Sequence, residues 1–337
     1  MLNPKHFPSA VPPRPMGNYA HIILLRETDS YALFQTDGEL NTARVRAGLT
    51  EKELMTRLTL FKRKQTTPER LVGRELLRRH AIISGEAYDD KAKLVVDKAG
   101  HPICDYNVRF CMQCPDCITY GFAIGDSGSE KSKVFSDTAY SLTAYDTSHE
   151  SFTLNAPYES GTMSREGVPT SRINEQDHVR PQTLFPAMIT TRDLTSALFL
   201  YVLNNVLRTR RYGAQTTRTG TMTNHLVAIV LADGEVSSNL RLTQALFDTL
   251  KQQDAIAPAQ PIDPHVALRA LSGLLPTLFA SQGGAQVSQL LHGPELASFL
   301  ADLPMRKSEA GMHELITAAT RDSAAYHQAY VQKKGKK

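Results

Sequence analysis

The run Leu184-Phe185-Pro186-Ala187-Met188-Ile189-Thr190-Thr191 is followed by Asp193 and an apolar stretch that ends near Leu207. An arginine-rich segment comes next, then His225-Leu226-Val227-Ala228-Ile229-Val230-Leu231, closed by Asp233-Gly234. The outer runs are short and apolar and end at turn residues, so they read as buried strands. Asp193 can cap the intervening helix. Upstream, Asn18 to Leu25 reads as a first strand, with Tyr31 to Gln35 as its partner across a short turn. Thr67-Pro68-Glu69 has the form of a helix start, with Thr at the N-cap, Pro at N1 and an acid in the first turn. Leu71, Val72, Leu76 and Leu77 give that helix an apolar face, while Arg70, Arg74 and Arg78 recur on another. Lys133 to Tyr145 is strand-like. The order of strand, helix, strand pair, helix, strand predicts an α+β fold of the split βαβ, ferredoxin-like kind, the sheet that RNA-recognition modules use. Large insertions interrupt it. Asn155 to Arg180 is polar and without period, which predicts a long loop or flap. Ser237 to Gln332 predicts a set of helices.

The composition belongs to an ordinary folded chain: 41% of the 337 residues are hydrophobic and 21% are charged. No apolar run reaches the roughly 18 residues that would suggest a membrane span. Met1 to Met16 carries five prolines and no signal-peptide core, so a cytoplasmic location is expected. A net charge of +4 decides little, but its distribution is uneven. Arg57 to His80 holds eight Lys or Arg against Glu69 and Glu75, and Leu194 to Ala232 contains no acid at all. Lys333, Lys334, Lys336 and Lys337 form a third group, read as a solvated tail. Segregated cations are an electrostatic footprint for phosphate.

Cys104, Cys111, Cys114 and Cys117 are the only cysteines, and they share one short span. Reduced thiols at x2 spacing can converge on one tetrahedral ion, so a structural zinc site is expected, with His101 as a substitute ligand should Cys104 fall short. An iron–sulfur cluster would want another Cys soon after Cys117, and a deaminase would need an upstream His-x-Glu. A redox pair at Cys114 and Cys117 leaves the other two cysteines unexplained.

Gly125 to Ser132 invites a phosphate-loop reading, which Glu130 defeats by standing where glycine must precede the Lys-Ser pair. Lys131, Ser132 and Lys133 still suit a polynucleotide backbone. The stronger candidate is Arg208-Thr209-Arg210-Arg211-Tyr212-Gly213-Ala214-Gln215-Thr216-Thr217-Arg218-Thr219-Gly220. Arg208, Arg210, Arg211 and Arg218 can grip phosphate bidentately, Gln215, Thr216 and Thr217 can add neutral hydrogen bonds, and Tyr212 offers a ring for a base.

The first strand, the Cys-x2-Cys segment, Lys131-Ser132-Lys133-Val134-Phe135 with Asp137 to Ala139, and the run Arg211 to Gly220 together resemble the CRISPR-associated backbone subunit of type I-D Cascade effector complexes. That subunit lies within the wider Cas-seven superfamily of repeat-associated RNA-recognition proteins. The resemblance covers nearly the whole chain. It implies an RRM-like core with lid, zinc-binding and helical insertions, and several copies polymerising along one CRISPR RNA. It also implies target DNA or RNA paired to that guide, other Cascade subunits as partners, and no membrane. The corresponding division is 1–90 for the first part of the core, 91–120 for the zinc-binding insertion, 121–182 for core strands and lid, 183–236 for the second half of the core, and 237–337 for the helical part and tail. Related backbone subunits of type III complexes carry an Asp in a loop near the first strand that cleaves target nucleic acid. Asp37 and Asp29 are the neighbouring candidates for a metal-dependent nuclease, though no catalytic residue is assigned.

Overall fold

In the computed structural model the described residues are 1–36, 38–124, 128–154, 159, 164–165, 168–169, 174–213, 215–257, 260–282 and 284–332. The chain is α+β. Its centre is β1 (Tyr19–Thr28), in which Ala20 to Arg26 are all buried. A strand with no solvent-facing side must be covered on both faces, and it is. Ala20, Ile22 and Leu24 join one apolar core with α1 (Lys62–Arg79), α3 (Ser196–Arg208) and α7 (Glu309–Tyr326). Ile23 and Leu25 join a second core with α4 (Asn239–Gln252) and α5 (Pro264–Gln282). The period-2 alternation of strand side chains splits one apolar run between two cores.

The main sheet contains five antiparallel strands in the order β10 (Val287–His292), β9 (Met222–Ala232), β1, β8 (Leu184–Arg192), β4 (Val134–Ser136). A second sheet joins β2 (Thr42–Arg46), β3 (Leu54–Leu60) and β5 (Ala139–Ala144). β6 (His149–Leu154) and β7 (Asn174–Val179) pair antiparallel, so the C-terminal end of the expected flap is a strand and not a loop. The short helix α2 (Pro115–Tyr120) carries Cys117, and α6 (Gly293–Asp302) completes the C-terminal helices. No helix among the described residues is long and apolar enough to cross a membrane.

Four expectations need correction. The cap of α3 is Thr195, whose hydroxyl accepts from the Leu198 N–H at 3.3 Å, and not Asp193, whose carboxylate accepts from the Met16 and Asn18 N–H groups. The partners of β1 are β8 and β9, from far along the chain, and not Tyr31 to Gln35, where Ala32 bridges to Val179 and Gln35 pairs with Leu40. The helix does not start at Thr67. It begins at Lys62, and Pro68 lies inside it. A proline there cannot donate to the carbonyl four residues back, that of Lys64. That carbonyl instead accepts from the backbone N–H of Gly213, at 3.3 Å. The helical C-terminal part also hides β10, which pairs with β9 at the sheet edge. Its half-exposed residues lack the apolar run that betrays a buried strand.

His21 is fully buried on β1. Its Nδ1 lies 2.8 Å from the Thr190 hydroxyl and its Nε2 lies 3.0 Å from the Gly234 carbonyl. A carbonyl can only accept, so Nε2 carries the proton of a neutral ring. Burial lowers its pKa from 6.5 to about 4. The unfolded chain therefore takes up a proton near pH 6.5 that the folded chain refuses until about pH 4. Across that window acid favours unfolding, and stability present above pH 6.5 is lost at about 1.4 kcal/mol per pH unit. Denaturant titrations at pH 7 and pH 4.5 should show wild type losing about 2–3 kcal/mol more than His21→Gln. Equal losses would refute this account.

Candidate nucleic-acid interface and candidate metal centre

The arginine segment is a loop between α3 and β9 with buried feet and an exposed tip. On one foot, Tyr212 is fully buried, and its hydroxyl donates to Glu69 Oε1 at 3.1 Å and accepts from Asn224 Nδ2 at 2.8 Å. Gly213 follows at φ +98°, and a Cβ there would stand 2.3 Å from the Leu33 carbonyl oxygen. Only glycine fits that approach. On the other foot, the Thr219 hydroxyl accepts from the Leu33 N–H at 3.0 Å and the Gly220 N–H donates to the Tyr31 carbonyl at 2.7 Å. Between them Gln215, Thr216, Thr217 and Arg218 are exposed, with the Arg218 N–H turned back onto the Gln215 carbonyl at 3.0 Å.

Tyr212 therefore cannot act as the expected stacking ring. Its hydroxyl found a buried carboxylate, and the ring lies under the Arg26 guanidinium, 4.6 Å from its centroid. The arginines also separate. Arg211 is exposed and donates to the Thr219 carbonyl, holding the loop closed. Arg210 is paired with Asp29 at 2.8 Å, although the nearest acid in sequence is far away. Arg208 lines a small cavity of about 170 Å³ with Arg79, Arg306 and Lys307, where Glu309 is the acid. Among the described residues Arg211 and Arg218 form no ion pair. Ala214 lies outside the described residues.

Lys131 and Ser132 stand at the entry to β4, beside a polar cavity of about 580 Å³ that Arg14 and Arg192 also line. Ser132 lines a second cavity, of about 470 Å³, with Lys62, Arg63, Thr66 and Thr67. Arg14, Lys62, Arg63 and Arg192 extend the candidate surface beyond the residues singled out by motif. Lys62 and Arg63 had a signal, the basic run before His80. Lys133 is a correction: it is buried, its Nζ pairs with Glu130 at 2.9 Å and stands over the Tyr326 ring. Gly125 to Ser127 and the lysines after Gln332 lie outside the described residues.

The helix-face arginines turn inward too. Arg70 grips both Asp116 oxygens, at 3.0 and 2.9 Å, and Arg74 reaches the same carboxylate at 2.8 Å. Arg74 also sits 3.4 Å from Cys104 Sγ. Arg57 is buried as well, donating to the carbonyls of Ser141, Leu142 and Ala47. Three of the eight basic residues in the run before His80 are thus internal.

Cys104, Cys111, Cys114 and Cys117 converge, with all four sulfurs within 4.8 Å of one another. Cys104 lies 3.7 Å from Cys117 and 3.9 Å from Cys114. A tetrahedral ion with Zn–S bonds near 2.3 Å spaces its sulfurs by roughly 3.8 Å, so the donor set is compatible with one zinc. A disulfide would need about 2.05 Å. Hydrogen bonds from the other three thiols, helped by Arg74, push Cys104 down, while burial holds Cys114 up. Cys104 reaches the cluster, and His101 is outside it, its ring held by Asp97 at 3.2 Å. Asp29, the nuclease candidate, is engaged by Arg210 and the Thr223 hydroxyl. Asp37 lies outside the described residues. The cysteines are the one metal-competent group among the described residues.

An α+β chain built this way shares its fold with the crystal structure of Thermofilum pendens Csc2, at a TM-score of 0.62 and 13% identity, over 96% of this chain and 94% of that one. The Csc2 family (Csc2 Crispr) matches residues 6–315, and the chain belongs to it. A chain of a CRISPR RNA-guided surveillance complex aligns at a TM-score of 0.46 and 14% identity, over 80% of this chain and 86% of that one, which is too distant to carry an argument. No curated protein matches the chain.

Proposed function

We propose that this chain is the guide-holding backbone subunit of a type I-D CRISPR surveillance complex, binding CRISPR RNA along its sugar-phosphate backbone. Copies of it polymerise on one guide, beside other Cascade subunits, and present the guide to target DNA or RNA. The core is RRM-like: β1, β4, β8 and β9 lie in the sheet order β9-β1-β8-β4, the ferredoxin-like order, with β10 added at the edge. The β6–β7 hairpin belongs to the lid insertion, the cysteine segment is a zinc-binding insertion, and the helices from Asn239 onward are the helical part. Zinc held by Cys104, Cys111, Cys114 and Cys117 leaves no position for substrate and would order this segment, as structural zinc does. The location is cytoplasmic.

The observation that carries the reading is the arginine loop. Its base is pinned by Glu69, Lys64, Leu33 and Tyr31, which fixes both ends of a tip that presents Arg211, Gln215, Thr216, Thr217 and Arg218 to solvent. Backbone contacts of this kind position a strand without reading its sequence.

A salt titration of single-stranded RNA binding tests it. Each phosphate neutralised contributes about −0.7 to the log–log slope for a single strand. Arg211→Ala with Arg218→Ala should flatten that slope by about 1.4 and weaken binding to every sequence alike. Removing Lys336 and Lys337 should change it far less. An unchanged slope in the double arginine variant would leave the loop an ordinary surface turn.

A further inference from the structure

We infer that Tyr31, Phe152 and His178 form a nucleobase-stacking platform beside the arginine loop, an inference that rests on the RNA-binding reading above. Phe152 on β6 and His178 on β7 share one face of the hairpin, because the register pairs His178 with Glu150, two residues from Phe152. Tyr31 meets both rings edge-on, with centroids 4.7 Å from Phe152 and 6.4 Å from His178, and Phe152 lies 5.3 Å from His178. All three are half-buried, and none belongs to either apolar core. The hairpin is attached through its backbone as well as through Tyr31, whose hydroxyl donates to Glu150 Oε2 at 2.9 Å. Ala32 and Val179 exchange two backbone hydrogen bonds, of 3.0 and 2.8 Å, and Gln176 donates to Gln35 at 2.8 Å.

The cluster's position supplies the second half of the inference. The Tyr31 carbonyl receives the Gly220 N–H at the foot of the arginine loop. Asp29, two residues before Tyr31, holds Arg210. The segment Asp29 to Ala32 thus anchors both the arginine loop, through Arg210 and Gly220, and the hairpin, through Val179. Proteins that hold single strands without sequence preference combine a cationic track with rings on which bases stack. With Tyr212 buried, these three rings supply the aromatic half. A nucleotide whose phosphate lies on the loop would place its base against them.

The test compares intact single-stranded RNA with the same strand lacking one base at a time, using the full chain. Wild type should lose roughly 5- to 100-fold in affinity at one or more abasic positions, the range of base–aromatic stacking. The same positions carrying 2-aminopurine should show quenched fluorescence on binding. Phe152→Leu, which keeps apolar bulk, should erase both effects and leave the salt slope unchanged. His178→Leu gives an independent check should Phe152→Leu fold poorly. Salt-dependent binding that is indifferent to every missing base overturns the platform and leaves the backbone reading standing. No salt-dependent binding at all overturns both.

Discussion

Glu69→Ala should lower the stability of the folded chain by about 3–5 kcal/mol and release the foot of the arginine loop. Glu69 and Arg26 are both fully buried and pair at 2.9 Å between α1 and β1. Burial pushes the Glu69 carboxyl upward, and Arg26 pulls it back toward the charged form. The same carboxylate accepts the Tyr212 hydroxyl, and Asn224 bridges Tyr212 to Arg26, whose Nη1 donates to Asn224 Oδ1 at 3.0 Å. Truncating Glu69 leaves a guanidinium without a counter-charge in an apolar core, the costly half of breaking a buried pair. Glu75, exposed on the same helix, is the control, and its alanine variant should stay within about 0.5 kcal/mol of wild type. Urea titrations with matched m-values measure both. A Glu69→Ala loss under about 1 kcal/mol would mean that water or a rearranged Asn224 satisfies Arg26.

The second large effect concerns the cysteine segment. The purified chain should carry close to one zinc, and Cys114→Ser with Cys117→Ser should lose it. Metal and fold are coupled in such sites, so α2 and its flanks should become open to protease before the β1 core does. Arg74→Met should keep all four thiols yet release zinc to a chelator about 10- to 100-fold more readily, as loss of an outer-shell partner does. Four thiolates around a divalent ion carry a net charge of about −2. Arg74, fully buried, supplies positive charge 3.4 Å from the Cys104 sulfur while bound to Asp116. Zinc retention in Arg74→Met equal to wild type would confine Arg74 to its ion pair. Purified chain with iron and visible absorbance, or with no metal, would refute the zinc assignment itself.

The nuclease alternative is tested by Asp29→Ala in an assembled complex. Asp29 is already held by Arg210 and Thr223, so RNA binding should persist with modest change and no regular cleavage should be lost.

The parts of this protein that were legible in its sequence are those set by neighbours along the chain. The strands Tyr19–Thr28, Leu184–Arg192 and Met222–Ala232 announce themselves as largely apolar runs, because a strand covered on both faces favours apolar side chains at most positions and admits polar ones only where they find partners, as His21 and Arg26 do. The cysteines declare a site because their spacing is short enough for one chain turn to bring the sulfurs together. The glycines around the arginines mark a loop whose backbone must pass close to something.

What sequence could not assign is which charged or aromatic side chains remain available. Asp116 takes Arg70 and Arg74 from more than 40 residues away, Asp29 takes Arg210 across 181, and Glu69 takes the Tyr212 hydroxyl across 143. Each pairing turned a residue that reads as ligand-facing into part of the scaffold. Conversely, Tyr31, Phe152 and His178 carry no motif and become a cluster only when the hairpin folds over the segment after β1. Local pattern specifies backbone form, since dihedral preference and burial period act between near neighbours. Availability for a ligand depends on desolvation and on through-space partners, and those are settled only when distant segments meet.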